Sequence, residues 1–201
     1  MGPSQGELVL DVGAGQGSFT YRLDQLGFRV IGFGITSNQF LASTPYVQCD
    51  LDRGIPVRSE TAQGVVAIEV IEHLENAFHL LREFARVLTP DGWAILTTPN
   101  TTSLTSRVSF ALRGYPVFFG PHEYETNGHI HPVALIDIQR MAERCGLTVA
   151  YVTYNVGKIP IPKLRHRIPL HQRRFRNRWL GENLIVKLYK TGAPKSEVMR
   201  G

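Results

Sequence analysis

The feature that most constrains this chain is the run Glu7-Leu8-Val9-Leu10-Asp11-Val12, apolar and closing on a carboxylate, followed at once by Gly13-Ala14-Gly15-Gln16-Gly17. A short apolar run bounded by glycines predicts a buried strand entering a tight turn. Residues 18–26 predict a helix, with Gly27 where a C-terminal cap belongs. Glycines at such a turn let the backbone approach a ligand, and the helix start offers free N–H groups to a polar or anionic partner. The spacing Gly-x-Gly-x-Gly, with an Asp before it, departs from the Gly-x-Gly-x-x-Gly dinucleotide fingerprint. An NAD-dependent oxidoreductase therefore ranks last among the readings.

Further apolar segments predict strands over 29–33, 46–49, 64–68, 93–97, 147–154 and 183–189. Helical periodicity runs from Ala77 to Leu88, where Pro90-Asp91-Gly92 stops it, and from Val133 to Arg144. Strands that alternate with helices imply a parallel sheet with right-handed crossovers. The last two strands have no clear helix between them and predict an antiparallel pair at one edge. At 201 residues the chain suits one α/β domain over 1–201. Ligands bind such sheets at the carboxyl ends of the strands, so the glycine turn, residues 34–38, residues 69–73 and Pro99-Asn100 should line the site. Residues 101–132 are irregular, rich in Gly, Pro, Tyr and His, and too long for an ordinary connection, which reads as a functional insertion or lid.

The net charge of +5 is unevenly placed: ten Lys or Arg residues lie between Gly157 and Lys190 against Glu182 alone, so the remainder is mildly acidic. This basic crossover, 157–180, could contact phosphate or an anionic membrane surface, or simply be a solvated connection. Its prolines at 160, 162 and 169 argue against a continuous nucleic-acid-reading helix. Cys49 and Cys145 show no metal-ligand spacing and read as free buried thiols, which fits a cytoplasmic compartment. No apolar run approaches the ~20 residues that span a bilayer, and the opening residues lack a secretory signal pattern.

Several blocks taken together resemble the class I S-adenosylmethionine-dependent methyltransferases: residues 8–17, Cys49-Asp50-Leu51-Asp52, Glu69-Val70-Ile71-Glu72-His73-Leu74, residues 81–92 and Thr98-Pro99-Asn100. Their spacing resembles the ubiquinone-biosynthesis O-methyltransferase, MetW and type 11 branches. Arg113-Gly114-Tyr115-Pro116 and Gly128-His129-Ile130-His131-Pro132 look like methyltransferases of bacterial cell-envelope and glycan clusters. The resemblance implies a Rossmann-like three-layer sandwich, a seven-stranded mostly parallel sheet with an antiparallel edge pair, and S-adenosyl-L-methionine as cofactor. It implies cofactor contacts from Asp11, Gly13, Ala14, Gly15 and Gly17, from Asp50 and Leu51 at the adenine, and from Glu69 near the methionine. The family usually ends its second strand in Asp or Glu, which grips the ribose hydroxyls, yet Gly34 stands here. No acidic residue occurs from Gln25 to Cys49, which leaves Thr36, Ser37 or Asn38 as neutral substitutes.

For the chemistry, His73, His129 and Glu72 are the candidate catalytic groups, histidine being the side chain suited to proton transfer near neutral pH. His73 could equally cap the following helix. Glu69, Glu72 and His73 could alternatively ligate magnesium or manganese, although the leading reading has no metal. His122, His129 and His131, with Tyr115, Phe118, Phe119, Glu123 and Tyr124, suggest aromatic walls around a few titratable groups. Asn100 either orients acceptor or lid, or forms a turn. The leading expectation is an enzyme methylating oxygen on a small-molecule or lipid- or glycan-linked, anionic acceptor, cytoplasmic and peripheral to the inner face of the membrane. The rivals are a methyltransferase-like interaction module without catalysis and an RNA methyltransferase. The latter is weakened by the lack of an Asn/Asp-Pro-Pro-Tyr motif after strand four.

Overall fold

A computed structural model describes residues 6–155, 158–159, 168–169 and 177–192. Along the chain run β1 (Leu8–Val12), α1 (Ser18–Gln25), β2 (Arg29–Gly34), β3 (Tyr46–Gln48), β4 (Ala62–Ile68), a 3-10 turn (Ile71–His73), α2 (Ala77–Val87) and β5 (Leu88–Pro99). They are followed by α3 (Leu104–Arg113), α4 (Pro121–Asn127), α5 (Leu135–Arg144), β6 (Leu147–Tyr154), β7 (Lys158–Ile159), β8 (Ile168–Pro169) and β9 (Asn183–Lys190). Seven strands form one sheet in the order β3-β2-β1-β4-β5-β9-β6, and β7 pairs with β8 in a separate ladder. The strands from β1 to β5 pair in parallel, whereas β9 runs antiparallel to both β5 and β6. The antiparallel edge expected from the missing helix is present, with the last strand inserted inside it.

Alternation along the central strands explains the layers. Leu10 and Val12 of β1 and Val65 and Ala67 of β4 face a core closed by Leu80, Leu81 and Phe84 of α2 and Ile138 and Met141 of α5. Val9 and Val66 point the other way, against Leu23 of α1 and Trp93. Both faces are covered, so these strands read as unbroken apolar runs instead of alternating ones. The result is the three-layer, Rossmann-like α/β sandwich that the sequence implies.

Two regions depart from expectation by more than a residue or two at an element's end. β5 starts at Leu88, because Pro90-Asp91-Gly92 is absorbed as an irregularity opposite Ala62 and Gly64, with Asp91 at φ 62°. The insertion 101–132 contains two helices. α3 escaped detection because its buried face is made of Ser106 and Ser109, with Ser103 capping the helix from the same side, while Leu104, Val108, Phe110 and Leu112 face outward. α4 has no buried residue and so no apolar stripe, and only Pro121 at its start and Gly128 at its end mark it.

Asn100 joins three parts of this architecture. Its side-chain amide donates to the carbonyls of Arg178 and Gly181, both at 2.9 Å, and its Oδ1 accepts from the amide and hydroxyl of Thr102. Its backbone N–H donates to Glu182 O and its carbonyl accepts from Ser106 Oγ. The end of β5, the start of α3 and the turn leading into β9 therefore meet on one buried side chain, which fulfils the turn-forming alternative. Asn100→Ala should lower the free energy of unfolding by about 1–3 kcal/mol, the cost of stranding a buried polar partner. Urea unfolding checks this, and an unchanged midpoint would contradict the assignment.

Candidate active site

β1 is flanked by β2 and β4, so the chain leaves it in opposite directions and a crevice opens at the carboxyl ends of these strands. A cavity of about 340 Å³ occupies it, lined by Gly13 and Gly15, by Gly34, Ile35 and Thr36 after β2, by Tyr46, by Cys49–Asp52, and by Glu69, Val70, His73 and Leu74 after β4. The volume lies within the range of small-molecule sites. Gly13 has φ 80°, and a Cβ there would stand 2.3 Å from Val70 Cγ2, so no other residue fits the turn. A Cβ at Gly15 would meet nothing within 4 Å, which leaves an open cradle against the cavity. These features fit a nucleoside-bearing cofactor of the kind the sequence implies.

The expected cofactor residues divide into two groups. Gly13, Gly15, Thr36, Asp50, Leu51 and Glu69 face the cavity. Asp11, Ala14 and Gly17 are not among its lining residues. The buried Asp11 carboxylate accepts the Thr20 hydroxyl at 2.5 Å and so ties β1 to α1. Burial pushes the Asp11 pKa up, and its bonds to Thr20 oppose this. The Ala14 N–H donates to Phe33 O, and Gly17 lies under Phe40 and Ala42. Asp50 accepts from the Asp52 N–H and pairs with Arg53 at 3.3 Å. Cys49 borders the cavity half-buried, and Cys145 is buried; both are free thiols whose pKa burial raises.

Tyr46, like Leu74, lines the cavity outside the segments that sequence reasoning marked as lining it. The available signal was Gly32-x-Gly34, two glycines on one face of a strand, a pattern that marks close approach of other groups. Phe40 packs over Gly32, and the Tyr46 hydroxyl stands where a side chain at Gly34 would begin.

The second part of the site lies beyond β4. Glu69 has φ 54°; its N–H donates to Thr97 Oγ1 and its carboxylate accepts from the same hydroxyl at 2.6 Å. The next turn carries Glu72, fully buried, its carboxyl oxygens outside hydrogen-bond geometry, with the Thr98 hydroxyl close enough to oppose the rise of its pKa. Burial, with the negative charge of Glu69 second, pushes the Glu72 pKa up to about 8. Segment 128–131 of the insertion crosses this turn. The N–H groups of Ile130 and His131 both donate to Glu72 O, His73 Nδ1 donates to Gly128 O at 3.1 Å, and His131 Nδ1 donates to Leu74 O at 2.8 Å. His129 Nδ1 donates to Phe118 O at 2.8 Å, and its ring lies edge-on to His73 with centroids 4.8 Å apart.

A carbonyl oxygen only accepts, so each of these Nδ1 atoms carries the proton when the ring is neutral and each Nε2 keeps its lone pair. Burial lowers the His73 pKa, which keeps the ring neutral at pH 7. Ligand atoms of Glu72, His73 and His129 lie within 4.8 Å of one another. The trio that converges thus differs from the alternative metal set: His129 replaces Glu69, whose carboxylate is engaged by Thr97. His131 is spent on a backbone carbonyl, and His122 does not join the cluster. On the far side of His129 a second cavity, about 470 Å³, is walled by Phe110, Tyr115, Phe119, Tyr124 and three prolines. The histidine pair therefore separates the cofactor cavity from an aromatic one.

Comparison with known proteins agrees with this geometry. A family model described as a methyltransferase domain matches residues 2–152. The mitochondrial ubiquinone biosynthesis O-methyltransferase of Rattus norvegicus is 32% identical over 116 residues, covering 51% of this chain and 34% of that protein. The ubiquinone biosynthesis O-methyltransferase of Albidiferax ferrireducens is 27% identical over 139 residues, covering 61% and 54%. The match thus spans about a third of the mammalian relative and about half of the bacterial one. In fold, a SAM-dependent methyltransferase from Archaeoglobus fulgidus superposes with a TM-score of 0.68 at 18% identity, covering 92% of this chain and 86% of that one. An S-adenosylmethionine-dependent methyltransferase from Mesorhizobium loti gives 0.65 at 13% identity, covering 94% and 93%. The seven-stranded order, the glycine turn at the switch point and the matched domain together make this chain a member of the class I S-adenosylmethionine-dependent methyltransferase family.

Proposed function

We propose that the chain methylates oxygen on a neutral ring or chain held under the insertion, with His73 and His129 serving the acceptor hydroxyl. The observation that carries this is the placement of the two histidines between the cofactor cavity and the aromatic cavity. When bound, S-adenosylmethionine supplies a methyl group on a positively charged sulfur. Gly13, Gly15, Thr36, Asp50, Leu51 and Glu69 would hold it. The chain's own contribution is alignment, exclusion of water by the pinned insertion, and a proton acceptor. His73 Nε2 is neutral and unprotonated at pH 7, so it can take the hydroxyl proton. Glu72 is uncharged there and leaves that nitrogen free of a competing carboxylate.

The walls support a reading of the acceptor class. The aromatic cavity is lined mainly by apolar and aromatic side chains, with Glu125 and His129 as its titratable groups and no Lys or Arg among the described residues, which supports an uncharged ring or chain over an anionic group inside it. The basic charge lies elsewhere, in the crossover, most of which is outside the described residues. Arg178 and Arg107 stack on Trp179 at 4.5 and 4.9 Å, beside the outward apolar face of α3. Cationic and apolar side chains on one surface support an acceptor presented from an anionic membrane, with the protein peripheral to it. Among the described residues no helix is long and apolar enough to cross one.

Three measurements test these points. Titration calorimetry with S-adenosylhomocysteine should show binding, and no heat would favour the interaction-module reading that Gly34 raises. His73→Ala and His129→Ala should retain that heat while transfer of labelled methyl groups to a lipid extract falls; loss of a general base costs about 10²–10⁴-fold. Full transfer by both variants would leave alignment as the sole source of catalysis. In a second experiment, thermal unfolding is followed against pH. The Glu72 pKa is raised in the folded state, so stability is full below the ordinary carboxyl range and is lost as pH rises toward about 8. Glu72→Gln should flatten that decline, so its melting temperature at pH 8.5 should exceed that of the unsubstituted protein. Third, sedimentation with phosphatidylglycerol vesicles should pull the protein down at low salt, as each basic group near the surface contributes about 1 kcal/mol. Leu112→Glu should release it, and salt-insensitive binding would contradict the electrostatic part.

A further inference from the structure

Gly34 closes β2, the position where a nucleotide-binding α/β crevice commonly places a carboxylate against ribose hydroxyls. A Cβ at this glycine would stand 2.7 Å from the Tyr46 hydroxyl oxygen, and that hydroxyl borders the cofactor cavity. The hydroxyl is held firmly. It donates to Thr36 O at 2.6 Å, and its ring packs on Phe40 with centroids 4.5 Å apart. Gln48, two residues on, donates to Ile35 O at 2.9 Å and accepts from Ser37 Oγ, so β3 fixes the whole segment that follows Gly34.

We infer that Tyr46 receives the cofactor's ribose hydroxyls in place of the carboxylate that Gly34 lacks, making this a cofactor site in which the ribose is recognised by a neutral group. The inference rests on the S-adenosylmethionine reading of the cavity. With its proton committed to Thr36, the phenol offers only its oxygen lone pairs, so toward the ribose it accepts. Its acceptance is weaker than a carboxylate's, since charge-assisted hydrogen bonds are about twice as strong. Thr36, one of the three neutral residues that follow Gly34, is thereby drawn in through its carbonyl as the group that orients Tyr46. The exchange is also sterically exclusive, because a side chain at position 34 and the Tyr46 hydroxyl claim the same space.

The test is a calorimetric cycle using S-adenosylhomocysteine and its 2′,3′-dideoxy analogue on the unsubstituted protein and on Tyr46→Phe. The unsubstituted protein should prefer the diol by roughly three- to tenfold, the worth of one neutral hydrogen bond. Tyr46→Phe should erase that preference while binding the dideoxy analogue as before, with its melting temperature reporting an intact fold. Equal weakening of both ligands would mean that Tyr46 only props the 35–37 segment, and would overturn the inference. So would a preference that survives in Tyr46→Phe. Absence of heat with either ligand on the unsubstituted protein would instead overturn the cofactor reading on which the inference stands.

Discussion

The structure depends on β1 being hydrogen-bonded along both edges, to β2 on one side and β4 on the other. Val9, Leu10, Asp11 and Val12 are buried, so the strand has no freedom to shift register. Because its neighbours are reached by crossovers leaving in opposite directions, the chain cannot cover the end of β1. The opening that results is where Gly13 and Gly15 turn. Asp11 secures this arrangement from inside. A carboxylate in an apolar layer is costly to bury, and the Thr20 hydroxyl that offsets the cost also docks α1 against the strand.

The second half of the site is built by a different device. Segment 128–131 lies across the turn after β4 through backbone groups: two N–H donors converge on Glu72 O, and three histidine rings donate to nearby carbonyls. These bonds set which imidazole nitrogens remain available, so the tautomers follow from the packing of the insertion. They also seal Glu72 away from water, which raises its pKa and leaves an uncharged acid beside the neutral ring of His73. Proton-transfer groups held apart in charge by burial are typical of sites that carry out chemistry. Here the same insertion that buries them supplies the aromatic wall of the neighbouring cavity.

The fold was largely legible because both faces of the sheet are covered, which turns each central strand into an apolar run. The amphipathic helices α2 and α5 were legible for the same reason. α3 was not, since serines make its buried face and apolar side chains face outward, inverting the usual pattern. Of the site, the glycine turn, Thr36, Asp50, Leu51 and Glu69 could be placed from spacing and resemblance. The resemblance also assigned cofactor contacts to Asp11, Ala14 and Gly17, which are not among the residues lining this cavity. Whether a residue faces a cavity or the layer behind it depends on the direction of one side chain, which spacing does not specify.

The sequence by itself determined the order of the seven sheet strands along the chain with α1, α2 and α5, and the glycine turn at the switch point, because each is written in local composition; the gap at Gly34 was marked by the resemblance. Only the tertiary structure decided what fills that gap and what meets His73. Tyr46 reaches Gly34 through the parallel register of β2 and β3, and His129 meets His73 across 56 positions of chain. Both depend on packing between segments distant in sequence, and such contacts leave no period or motif from which they can be read.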